Sequence, residues 1–136
     1  MRIVVIDGQG GRLGKRLVES IKASMPEADL FAVGTNSTAT EQMLKGGANA
    51  AATGENAVIV ACRRADVITG LIGIAIADSL MGEISPAMAN AVASADAKRV
   101  LIPMNLCNTY VAGVESSSTL IINDAIAHIK TLFEKG

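Results

Sequence analysis

An apolar run, a glycine-rich turn and a helical period follow one another without a break at the start of this chain. They are Arg2-Ile3-Val4-Val5-Ile6-Asp7, then Gly8-Gln9-Gly10-Gly11-Arg12-Leu13-Gly14, then Lys15-Arg16-Leu17-Val18-Glu19-Ser20-Ile21. That succession is the first half of a βαβ nucleotide-binding unit. Ile3 to Ile6 is a continuous β-branched run, as a strand buried on both faces requires. Leu13, Leu17, Ile21 and Met25 recur at helical spacing with Lys15, Arg16, Glu19 and Lys22 opposite, and Pro26 closes the helix. Four glycines in seven residues cost stability unless backbone turns sharply there or approaches something closely.

The alternation continues along the chain. Leu30 to Val33 reads as a second strand and Thr38 to Lys45 as a second helix, ended by Gly46-Gly47, where glycine can take the left-handed cap conformation. A short strand over Ala48 to Ala52 gives the alternation its third member. Thr53-Gly54-Glu55-Asn56 has a hydroxyl and an acid where a helix would start, which predicts a helix from Glu55 to Ala65. Val58-Ile59-Val60 suits a strand equally well. Helix is preferred because Ala65 to Gly70 reads as entry to another parallel strand, with two antiparallel strands joined at Arg63-Arg64 as the alternative. Further on, Ile74 to Met81 reads as a helical segment ended by Gly82, and Ser85-Pro86 starts another helix, proline being well placed in a first turn. Arg99 to Met104 and Tyr110 to Val114 read as strands, and Ser118 to Lys135 as an amphipathic helix with Ile122, Ile126, Ile129 and Phe133 on one stripe. The expected fold class is α/β: a three-layer, Rossmann-like, mostly parallel sheet with helices on both faces.

The length of 136 residues predicts one domain over the whole chain, too short for a dinucleotide domain plus a separate substrate domain. Half the residues are hydrophobic, yet Phe31, Tyr110 and Phe133 are the sole aromatics, so the core is built from Ala, Val, Ile, Leu and Met. A net charge of −1 with so few aromatics gives neither an electrostatic footprint nor a stacking platform for nucleic acid. Cys62 and Cys107 lie in no CxxC or zinc spacing, and His128 is the one histidine, which points to a reduced, cytoplasmic protein without a metal site. The N-terminal apolar stretch is too short for a signal segment, and the run Val67 to Ala77 is well below a membrane span.

The strict G-x-G-x-x-G fingerprint fails because Leu13 stands where its last glycine belongs. Read as G-x-x-G-x-x-G, the loop fits, with Gly8 making the turn, Gly11 admitting a phosphate and Gly14 letting the helix pack on the strand. A P-loop is disfavoured by Gln9 and Arg16. Amides at the start of the first helix and its dipole favour an anion above it, helped by Arg12 and Lys15. Asp7 opposes a pyrophosphate placed close by and is expected to bond either a ligand hydroxyl or loop amides. The competing reading is that the glycines serve tight packing alone.

This G-x-x-G-x-x-G form is similar to the nucleotide loop of dihydrodipicolinate reductases, over roughly the first twenty residues, and nothing later resembles their substrate domain. The second strand ends Val33-Gly34-Thr35-Asn36-Ser37 without the acid that would hold NAD ribose hydroxyls. NADP stays open, since small hydroxyl and amide groups can accept a 2′-phosphate, and a helix cap by Asn36 or Ser37 is the plain alternative.

Other candidates have similar double readings. Glu55 is the best general-base candidate, although a dipole-stabilised acid in a capping turn is the favoured reading of it. Gly70-Leu71-Ile72-Gly73 and Pro103-Met104-Asn105-Leu106-Cys107-Asn108 follow strands and should face the ligand side of the sheet. No histidine near Cys107 supplies a base, so it reads as a loop or structural residue. His128 reads as a boundary residue of the last helix. Gly82-Glu83-Ile84-Ser85-Pro86 reads first as a turn into a helix and secondarily as a lid.

Taken together, Ile6 to Gly11, Gly34-Thr35-Asn36, Thr53-Gly54-Glu55-Asn56, Gly82 to Ala89 and Pro103 to Asn108 resemble a family of short bacterial proteins of unknown function, over nearly the whole chain. That family carries no established activity, so the resemblance implies no catalytic residue. The expected site is Asp7, Gly8, Gln9, Gly10, Gly11, Arg12, Leu13, Gly14, Gly34, Thr35, Asn36, Ser37, Gly70 and Asn105. Its expected ligand is NADP or another phosphorylated nucleotide or small molecule. The expected role is a non-catalytic sensor, with a small NADP-dependent oxidoreductase or a structural, partner-binding subunit as alternatives, and self-association as a homodimer.

Overall fold

The β-branched run at the start of the chain forms β1 (Arg2–Asp7), which lies between β2 (Asp29–Gly34) and β4 (Val67–Leu71). In the computed structural model, which describes residues 1–104, 108–114 and 117–135, β3 (Ala50–Thr53) adds beyond β2 and β5 (Lys98–Ile102) beyond β4. The described strands make one all-parallel sheet in the order β3-β2-β1-β4-β5.

Both faces are covered, which is why β1 can be apolar at successive positions. Ile3 and Val5 join Leu17, Ile21, Met43, Ile122 and Ile129 under α1 (Arg12–Ser24), α2 (Ser37–Gly46) and α5 (Ser118–Lys135). Val4 and Ile6 join Val58, Cys62, Ile68, Met88 and Val92 under α3 (Glu55–Arg64) and α4 (Pro86–Ser94). Each fully buried Ile, Leu or Val contributes roughly 1.5–3 kcal/mol of transfer free energy. Val58-Ile59-Val60 is helical, as the following strand required. Its Val58 and Cys62 are buried one turn apart, and Val60 faces out.

Two expected elements are not present. The segment 74–81 is no helix: a short 3-10 turn, Ile72–Ala75, gives way to successive turns in which Asp78, Leu80 and Met81 have positive φ. A left-handed residue cannot continue a right-handed helix. Residues 110–114 form no strand either. Tyr110 is 89 % exposed, and the described sheet ends at β5 without this stretch. The predicted third and fifth strands exist with shifted bounds. No described helix is long and apolar enough to cross a membrane.

The strand order places the reversal of direction between β1 and β4. Ligands of open α/β sheets sit in the crevice at the carboxyl ends of the strands beside such a reversal. Asp7, the loop 8–14 and the end of β2 reach that rim, and Gly70, paired with Ile6, lies just beneath it.

Candidate functional site at the carboxyl-end rim

β1 ends on Asp7, which is 4 % exposed. Its Oδ2 accepts the amide of Gly14 at 2.7 Å, and the Gly8 amide bonds it too. Gly14 lies in the first turn of α1, whose leading amides have no intrahelical partner and whose dipole favours a negative charge. Gly11, the residue before α1, offers no side chain for this task, so a carboxylate from the strand supplies the cap. Of the two partners expected for Asp7, the structure shows loop amides. Burial pushes its carboxyl above the ordinary value of 3.8, the Gly14 and Gly8 amides pull it back, and the nearby Glu83 charge raises it further.

The glycines divide by what crowds them. A Cβ on Gly14 would stand 2.7 Å from both the Asp7 Cβ and the Met43 Sδ, so this glycine lets α1 pack on β1 as expected. Gly11 has φ 73°, and a Cβ there would meet the Ala39 Cα at 2.6 Å. Its close neighbour is therefore the backbone of α2, in place of the phosphate the spacing suggested. Gly10 has nothing within 4 Å of such a position. The Gly11 amide closes the turn onto the Gly8 carbonyl at 3.0 Å. Arg12 is exposed and Leu13 packs against the core.

The residue that organises this rim is one the sequence reading passed over. Glu83 Oε1 accepts from the Gln9 amide at 2.9 Å, the Thr35 hydroxyl at 2.6 Å and the Asn36 side-chain amide at 2.9 Å. Asn36 also donates to the Gln9 carbonyl at 3.0 Å, while its Oδ1 accepts the Ala39 amide at 2.9 Å and so caps α2. Thr35 donates its amide to the Asp7 carbonyl at 3.0 Å. Burial by itself raises the Glu83 carboxyl, but the bonds from Thr35, Gln9 and Asn36 outweigh it and hold the group below its ordinary 4.5. The carboxylate form is thus the one these donors select.

Glu83 arrives on a segment, residues 76–85, that folds back over the crevice. Leu80 Cδ2 would lie 3.1 Å from a Cβ on Gly8, and Ile84 is fully buried. Left-handed backbone at Asp78, Leu80 and Met81 costs roughly 1–2 kcal/mol per residue, less for Asp. Glu55 Oε2 accepts the Ser85 hydroxyl at 2.5 Å, and Ser85 Oγ in turn accepts the Met88 amide at 3.2 Å at the start of α4. Glu55 therefore steadies the base of this segment. Two open concavities lie away from this segment: a groove of about 450 Å³ between α3 and α4, which includes Cys62, Arg63 and Asp96, and one of about 230 Å³ between the ends of α1 and α5.

Of the expected site, Asp7, the loop 8–14, Gly34, Thr35 and Asn36 converge. Ser37 is exposed on the first turn of α2, outside the cluster. Gly70 lies beneath the crevice, where a Cβ would strike the Ile6 carbonyl at 2.4 Å, so strand contact explains this glycine. Asn105 and Cys107 lie outside the described residues. Cys62 is buried, and burial pushes its thiol up to about 11. Among the described residues no group of three or more His, Cys, Asp or Glu side chains is placed to hold a metal ion.

An all-parallel sheet of order β3-β2-β1-β4-β5, with a glycine-rich turn after its central strand and polar donors gathered at its point of reversal, defines a Rossmann-like α/β fold. The chain belongs to the family described as Domain of unknown function (DUF3842), whose match runs over residues 2–134. Comparison with curated proteins finds no match. Among solved structures, the dodecameric FMN-dependent UbiX-like decarboxylase from Escherichia coli O157:H7 is similar at a TM-score of 0.49 and 16 % identity, over 98 % of this chain and 94 % of that one.

Proposed function

We propose that this chain, acting as one domain, binds a nucleotide or another phosphorylated small molecule at the carboxyl-end rim beside the loop 8–14, and that it does so as a sensor. The observation that carries this reading is the convergence of the Gln9 amide, the Thr35 hydroxyl and the Asn36 amide on a single anionic oxygen at the rim. Gly10 leaves open space beside them, and Arg12 is exposed on the first turn of α1. Those groups suit a phosphate.

The sensor reading is favoured over catalysis because the carboxylates at the rim are already engaged: Asp7 with Gly14, Glu83 with Gln9, Thr35 and Asn36, and Glu55 with Ser85. A small NADP-dependent oxidoreductase is the second reading. It is supported by the hydroxyl and amide at the end of β2, which suit a 2′-phosphate better than a free ribose diol. The tight packing of Gly11 and Gly14 is what supports a purely structural subunit. Self-association as a homodimer in the cytoplasm accompanies each reading.

Thermal denaturation of the intact chain with inorganic phosphate, NADP, NAD, FMN, ATP and sugar phosphates tests the proposal. A ligand at a hundred times its Kd stabilises by about 2.7 kcal/mol. Stabilisation without turnover supports the sensor, and NADPH oxidation in a substrate panel supports the enzyme. No stabilisation by any of these compounds overturns both.

A further inference from the structure

The end of β2 has no acid of its own, yet an acid from the far side of the sheet's point of reversal fills the space beside it. We propose that the Gln9 amide, the Thr35 hydroxyl and the Asn36 amide form an oxyanion seat for a phosphate monoester, that Glu83 occupies this seat as a built-in competitor, and that ligand entry displaces Glu83 and lifts the tip of residues 76–85. This inference rests on the reading of the rim as a phosphate-binding site and names how that site is regulated.

Three observations support it. The donors come from two places far apart in the chain, Gln9 in the glycine loop and the adjacent Thr35 and Asn36 between β2 and α2, and all meet Glu83 Oε1. A carboxylate oxygen has about two lone pairs, so three donors crowd it. A phosphate monoester offers three terminal oxygens and can give each donor its own. The second observation is the tip itself. Leu80 and Met81 are left-handed without being glycine, Gly82 follows at φ 88°, and Met81 is 93 % exposed. Such backbone persists where surrounding contacts hold it, and Glu83 supplies three of those contacts. The third is that both ends are anchored independently of the tip: Ser79 Oγ bonds the Gly73 carbonyl on one side, and Ile84 is buried and Ser85 caps α4 on the other. The tip can therefore lift while its anchors stay.

Glu83→Ala empties the seat, and Glu83→Gln removes the charge while keeping size and an acceptor. The Ala variant should bind inorganic phosphate at least ten-fold more tightly than the parent chain, by titration calorimetry. The Gln variant should gain less, and guards against a change in folding. Adding Thr35→Val to Glu83→Ala should abolish the gain. Saturating phosphate on the parent chain should speed amide exchange at residues 80–83. Equal, measurable phosphate affinity in the parent and both Glu83 variants overturns the competitor and leaves the rim as a phosphate site. Absence of binding in all of them, with faster exchange at residues 80–83 in the Ala variant, overturns both the competitor and the rim reading.

Discussion

Gly14→Ala and Gly10→Ala differ by one methyl each in the same loop, and the structure sets them far apart. At Gly14 the new Cβ would lie 2.7 Å from the Asp7 Cβ and the Met43 Sδ, where contacts of about 3.5–4.0 Å are optimal. Met43 is fully buried and Asp7 is 4 % exposed, so neither can swing away into solvent. Overpacking of this kind costs about 1–3 kcal/mol. Displacing Asp7 from the Gly14 amide adds a further ~1.5–3 kcal/mol, because the lost bond is charge-assisted. Alanine's helix preference over glycine returns about 1 kcal/mol. The net loss is then roughly 3 kcal/mol. At about 2.1 cal/mol/K per residue, 136 residues unfold with an entropy near ~0.29 kcal/mol/K, so the melting temperature falls by roughly 10 °C. Gly10→Ala meets nothing within 4 Å and restricts the unfolded chain, so it is expected to stabilise by about 0.4–1 kcal/mol. Differential scanning calorimetry of both variants checks this. A Gly14→Ala melting temperature within about 2 °C of the parent, or equal losses in the two, refutes the packing argument.

Asp7 and Glu83 should tilt the pH dependence of stability in opposite directions. The raised folded value of Asp7 makes the folded chain hold a proton more tightly than the unfolded chain, so stability falls as pH rises from 3.8 through that value. The lowered value of Glu83 gives stability that is present above 4.5 and lost as pH falls through the folded value. Urea midpoints between about pH 3 and 6 should lose the first slope in Asp7→Asn and the second in Glu83→Gln. Thr35→Val removes one charge-assisted bond to Glu83, worth about 1.5–3 kcal/mol, and should speed exchange of amides 80–83 by about ten-fold or more. Asn36→Asp keeps the α2 cap but sets a second carboxylate against Glu83, whereas Asn36→Ala loses the cap as well, for about 1 kcal/mol more. Comparing the two by urea denaturation separates the roles. In a Cys107→Ser background, Cys62 should react with a thiol reagent no faster than the chain opens, since burial pushes its thiol up to about 11.

The fold was legible wherever one local pattern dominated. Ile3 to Ile6 could be little other than a strand buried on both faces, and Leu17 and Ile21 marked the buried stripe of α1. Val58-Ile59-Val60 was ambiguous by composition and was decided by the need to return for a parallel β4. Residues 74–81 misled because their apolar run carries no mark of left-handed turns. Leu80 and Met81 adopt that conformation under tertiary contacts, which a sequence window cannot display. Val111 beside Tyr110 has strand character, yet this stretch does not join the described sheet, which ends at β5.

The candidate site was half legible for the same reason. The loop 8–14 and Thr35-Asn36 announced themselves through glycine spacing and the missing acid. Glu83 lies 48 residues from Thr35 along the chain, and its role depends on a fold-back between β4 and α4. The available hint was an acid beside a glycine turn on the segment after β4, and the lid reading came nearest to using it.

Backbone amide shifts followed during titration of the full chain with inorganic phosphate and then NADP test the central claim most directly. Saturable shifts at Gln9, Gly10, Thr35 and Asn36, with the α3–α4 groove around Cys62 and Asp96 unaffected, are the predicted result. Shifts confined to that groove, or none at the rim at saturating ligand, would contradict it.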